Sequence, residues 1–127
     1  MKRACFFAFL FFCMGFSAAF AQAVLKFDKT THNYGKFSEE KPVSCVFYFT
    51  NTGDEPLVIQ QVMTSCGCTA ADFTKTPVQP GKKGSVTVTY DGAGRAAGHF
   101  KKVISIRSNA KNSMVRIYVE GFLTKKD

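Results

Sequence analysis

The chain has 127 residues, carries a formal charge of +8 and contains five cysteines and two histidines. That length suits one compact domain behind any targeting segment. Two histidines and no recurrent acidic spacing leave little material for acid–base or multi-histidine metal chemistry, and no G-x-S-x-G elbow marks a hydrolase.

The first element is MKRACFFAFLFFCMGFSAAFAQ. Lys2 and Arg3 make a positive n-region, Phe6 to Phe16 is a nearly unbroken apolar run, and Ala19-Phe20-Ala21 has the small-x-small pattern of a processing site. Residues 1–21 therefore read as a secretory signal peptide, cleaved between Ala21 and Gln22, that meets the membrane only in transit. The product is an exported domain of residues 22–127, periplasmic or secreted. Cleavage removes Cys5 and Cys13 and takes the charge from +8 to +6, leaving Cys45, Cys66 and Cys68. An odd count leaves at least one thiol free or intermolecular.

From Val24 onward the signal is period-two alternation. "VLKFD" and "HNYGKF" give two short opening strands, and "VSCVFYFTN" sets Cys45, Phe47 and Phe49 on one face. After the turn chemistry of "NTGDEP", "LVIQQVM" resumes with Leu57, Ile59 and Met63 together. "SVTVTYD", "HFKKVISIRSN" and "SMVRIYVEG" complete the series, the last closed by Gly121. About seven strands at roughly ten-residue spacing, with one apolar face each, predict an all-β, immunoglobulin-like antiparallel sandwich.

Function turns on "TSCGCTA" (64–70). Cys66 and Cys68 are spaced closely enough to bond to each other, with Gly67 free to bend between them, including to positive φ. Export to an oxidising compartment favours that bond, and a ring so tight belongs with labile or regulatory disulfides. Three alternatives stand beside it. Redox catalysis needs a nearby cation, histidine or helix N-terminus. A soft-metal site such as one for Cu(I) needs further ligands from His32, His99 or Cys45. The plainest alternative is a strand-end corner built from small residues. Cys45 shares its face with Phe47 and Phe49 and reads as a buried core thiol. If the segments around Asp54 paired as a hairpin, three residues of mismatch would hold Cys45 roughly 10 Å from Cys66, too far to bridge.

The segments "HNYGKF", "FYFTNTG", "LVIQQVMTSCGCT", "PGKKGSVTVTYD", "GHFKKVISIRSN" and "IYVEG" together resemble a bacterial exported family, domain of unknown function 1573. That family is similar to Hydin-type and major-sperm-protein-type immunoglobulin-like domains. The resemblance implies a fold and an exported location but no assigned activity. Related modules serve mostly in binding or scaffolding, which is an analogy from fold.

The expectation is a noncatalytic exported module that binds or braces an envelope protein or an anionic surface component, with no cofactor and no nucleic acid. The competing class is a small thiol–disulfide or copper-handling protein acting through Cys66 and Cys68. The pairs Lys82-Lys83, Lys101-Lys102 and Lys125-Lys126 read as solvated surface or as an anion-facing patch.

Overall fold

The computed structural model describes residues 22–126. The signal segment, with Ala21, lies outside the described residues. Eight strands follow one another: β1 (Leu25–Phe27), β2 (Thr31–Ser38), β3 (Val43–Asn51), β4 (Ile59–Thr64), β5 (Thr69–Phe73), β6 (Lys83–Tyr90), β7 (Gly98–Ser108) and β8 (Met114–Thr124). They form two four-stranded sheets, ordered β1-β3-β6-β5 and β2-β8-β7-β4. The result is an all-β immunoglobulin-like sandwich.

Alternation builds the interior. Phe47 and Phe49 of β3, Val86 and Val88 of β6, Ile104 and Ile106 of β7, and Ile117 and Val119 of β8 are fully buried between the sheets. Each such side chain stabilises the fold by roughly 1.5–3 kcal/mol relative to exposure. Cys45 is buried in the same cluster, as its face required.

Five features differ from the pattern read in the sequence. The eighth strand, β5, is TAADF, whose Ala-Ala-Asp centre has little intrinsic strand preference; pairing with β6 holds it extended. β2 and β8 run parallel. The chain leaves β1 in one sheet, crosses through residues 28–30 and enters the other, a switch that local alternation does not encode. β3 and β4 form no hairpin but lie in opposite sheets, joined by a loop in which Leu57 bridges Val78. A register shift between Ile59 and Gln61 then rephases β4, so that Val62 packs on the core in the position alternation gives to Gln61, and Met63 falls on the other face. Finally, β8 continues through Gly121 to Thr124, where Leu123 is still buried.

The "NTG" turn also proves to be structural. Asn51 is fully buried at the end of β3. Its Oδ1 accepts the N–H groups of Val24 (3.2 Å) and Gly53 (3.0 Å). Its Nδ2 donates to the carbonyls of Glu55 (2.7 Å) and Val78 (2.9 Å). All its side-chain capacity is thus spent joining three loop segments, as burial of an amide demands. Gly53 lies against the Gln22 carbonyl and the Val24 N–H so closely that a β-carbon has no room.

Candidate functional site

β4 is the outer strand of one sheet and β5 the outer strand of the other. Residues 65–68 carry the chain between them, so the two cysteines occupy the crossover at one end of the sandwich. Thr69 N–H donates to the Cys66 carbonyl at 3.1 Å, closing the turn. Asp91 N–H, just past β6, donates to the Cys68 carbonyl at 2.8 Å. Cys68 N–H points at Cys66 Sγ, 3.2 Å away.

The two Cα atoms lie 5.2 Å apart, with the sulfurs at disulfide-bonding distance. The pair is asymmetric: Cys66 is half-buried, whereas Cys68 is 5% exposed. Gly67 is exposed and does not take the positive φ that its freedom allowed. The bend is made within ordinary backbone.

Beneath the crossover is an aromatic group. Thr69 pairs with Tyr90, whose ring stacks on Phe100 at 4.0 Å between centroids. Phe37 meets both rings edge-on, at 6.0 and 5.7 Å.

Cys45 lies elsewhere, on the inner face of β3. Its thiol donates to the Tyr34 hydroxyl at 3.5 Å, and that hydroxyl donates to the Val88 carbonyl at 2.8 Å. Burial holds the thiol above its ordinary pKa, against a smaller opposing pull from the Tyr34 hydrogen bond and Lys29. Burial likewise raises Tyr34. Cys45 is an inert protonated thiol rather than a nucleophile. It does not bridge to Cys66, because β3 and β4 belong to different sheets rather than to the hairpin from which their offset was reckoned.

The histidines do not complete a site. His32, on β2, accepts from Lys29 Nζ at 2.8 Å and packs edge-on to Tyr34 and Phe47. Partial burial, and then Lys29, lower its pKa. His99 lies on β7 opposite Phe122. Among the described residues no three His, Cys, Asp or Glu side chains gather as a metal would require. The lysine pairs are dispersed: Lys83 is 3.6 Å from Asp28, Lys101 4.0 Å from Glu120, and Lys125 3.0 Å from Glu39.

At the opposite end, Gln22, Ala23, Pro56, Val58, Pro77 and Asn109 line an open depression of about 500 Å³. Gln22 is anchored there, its carbonyl accepting from Asp54 N–H at 2.9 Å. The expected processing point thus adjoins the first backbone contact among the described residues.

A family model described as "Protein of unknown function (DUF1573)" matches residues 25–123. The chain belongs to the DUF1573 family. Among solved structures it is similar to a protein of unknown function from Porphyromonas gingivalis W83, at 22% identity and a TM-score of 0.71. That match covers 84% of this chain but only 50% of the other, so the chain spans about half its length. It is also similar to the ASH/PapD-like domain 7 of human CEP192, at 6% identity and TM-score 0.67, covering 87% and 92% of the two chains. WR4, an MSP family member of C. elegans, matches at 14% identity and TM-score 0.50 over 83% of this chain and 100% of that one. No curated protein matches. These likenesses carry the fold, and the family's description assigns no function.

Proposed function

We propose that this DUF1573 chain is an exported, noncatalytic immunoglobulin-like module that binds or braces a component of the cell envelope, with Cys66 and Cys68 as a structural staple. The observation that carries the reading is how the cysteines are held. The Cys66 and Cys68 sulfurs face each other in a crossover already pinned by backbone hydrogen bonds, and the third thiol is protonated in the core. The signal segment at residues 1–21 supports export. The noncatalytic reading is in keeping with a family of unknown function and a sandwich of PapD and MSP type.

A second reading rests on the partial exposure of Cys66. A half-exposed sulfur in a bonded pair is open to attack by an external thiolate, so thiol–disulfide exchange at this corner is the alternative.

Cys66→Ser/Cys68→Ser separates the two. With a photo-crosslinking residue on an exposed strand face, the module reading expects cross-links to envelope components to survive in the double variant. Their loss from a protein still folded by circular dichroism assigns the activity to the sulfurs.

A further inference from the structure

Five strand edges border the two sheets, and four of them carry devices that discourage pairing. β1 is three residues long with exposed Lys26 at its centre. β2 breaks register between Asn33 and Lys36, and β4 between Ile59 and Gln61. β5 carries Asp72, ion-paired to Lys75 at 2.7 Å. The fifth edge exists because β1 is so short: it pairs only with Phe49, Thr50 and Asn51, leaving the first half of β3 uncovered on that side.

The hydrogen-bond parity identifies which groups are left. Asn51 N–H donates to the Lys82 carbonyl, so the odd residues of β3 address β6. Asp28 N–H donates to the Tyr48 carbonyl, so the even residues address the β1 side. The N–H and C=O of Ser44 and Val46 therefore point outward where no strand among the described residues meets them. The segment Val43–Phe47 contains no charge and no bulge. Its flanking outer-face side chains are Val46, 36% exposed, and Tyr48, 53% exposed. Unpaired backbone and exposed apolar side chains coincide on one short stretch.

We propose that this uncovered half of β3 is a strand-addition site for an extended, acidic segment of another polypeptide; this deepens the binding-module reading and rests on it. The segment extends the sheet through backbone bonds to Ser44 and Val46, with apolar side chains beside Val46 and Tyr48. Charge selects its sign. Lys26 and Lys29 flank one end of the window, where Asp28 is already within 3.6 Å of Lys83; at the other end Lys41 adjoins Glu40, while Glu39 is held by Lys125 at 3.0 Å, so the balance around the window is positive. Lys29 Nζ reaches back to within 6.0 Å of the Phe47 ring centroid, beside the window itself. A second copy of this chain would set these same cations against each other, whereas carboxylates neutralise them.

The probe is a synthetic peptide alternating valine and threonine, flanked at both ends by glutamates, added to the processed protein. Amide hydrogen exchange followed by NMR is the readout. The peptide is expected to slow exchange at Ser44 and Val46. N-methylating its alternate amides should weaken binding about ten-fold or more by removing backbone bonds. Replacing its glutamates by lysines should also weaken binding, as should Val46→Glu, which removes the apolar contact and sets a like charge against the peptide. Four results overturn the proposal: Ser44 and Val46 amides already slow in the free protein, no added protection, equal binding of the lysine-flanked peptide, or protection that rises with protein concentration alone and so reports self-pairing. If the peptide gives no protection while the envelope cross-links of the wild-type protein persist, the edge site falls and the binding-module reading stands. If the cross-links fail as well, both fall.

Discussion

Asp91 donates its backbone N–H to the carbonyl of Cys68 at 2.8 Å, tying the crossover between the sheets to the end of β6 without using either sulfur. With Thr69 N–H on the Cys66 carbonyl, this makes the corner a shape that the backbone holds by itself. The Cys66→Ser/Cys68→Ser variant should therefore keep its fold and lose about 1.6 kcal/mol, the chain-entropy value for so small a ring. Urea denaturation with an unchanged slope checks this; global unfolding of the variant would contradict it.

Asn51 should be worth more to the fold than the disulfide. Asn51→Ala removes four side-chain hydrogen bonds, takes those partners from the Glu55 carbonyl and the loop amides of Val24 and Gly53, and leaves the Val78 carbonyl with the Leu57 N–H alone. A loss of roughly 2–4 kcal/mol is expected, since buried groups left unpaired cost about 1–3 kcal/mol each and partial hydration offsets some of it. Thermal and urea unfolding together measure it. A loss below that of the double cysteine variant would refute this ranking.

Two glycines should respond in opposite ways. Gly67 is exposed, at negative φ, with no atom within 4 Å of an added β-carbon, so Gly67→Ala should leave stability nearly unchanged. Gly53→Ala drives a β-carbon into the Gln22 and Val24 backbone and should displace the first strand, at a cost of roughly 1–3 kcal/mol by overpacking. Melting temperatures of the two variants, side by side, provide the check.

Stability should also fall in alkali. The Cys45 thiol and the Tyr34 hydroxyl both have folded-state pKa values above their ordinary ones, chiefly through burial. The folded state thus holds these protons longer than the unfolded chain. Their contribution is complete below about pH 8.5, where unfolded cysteine begins to ionise, and is lost as pH rises through and beyond that value. Denaturation midpoints measured upward from neutral pH should decline, and Cys45→Ala should flatten the first part of the decline. An identical slope in the variant would remove Cys45 from this account.

Much of the sandwich was legible because burial on one face imposes period two. Phe47, Phe49, Ile104, Ile106, Ile117 and Val119 all point inward as their spacing indicated. What stayed hidden was non-local. Ala70, Ala71 and Asp72 become strand only because β6 pairs with them, and the parallel β2–β8 pairing follows from a change of sheet that no local residue announces. The Gln60–Gln61 region masked a register shift that alternation cannot count through. The cysteine pair was legible by spacing alone, since residues two apart can meet in almost any bend. The weight of Asn51 was not, because "NTG" reads equally as an exposed turn; only its burial reveals four hydrogen bonds. The open half of β3 depends on where β1 stops, which the sequence "VLKFD" does not disclose.

In the proposed reading, an exported module carries Cys66 and Cys68 as a closed staple while Cys45 remains a core thiol. Intact-mass spectrometry tests it most directly, on protein recovered from cells and alkylated under denaturing conditions without reduction. The account expects a chain beginning at Gln22 that carries a single alkyl group, on Cys45. A chain retaining Met1, or three alkylated cysteines on the processed chain, would contradict it.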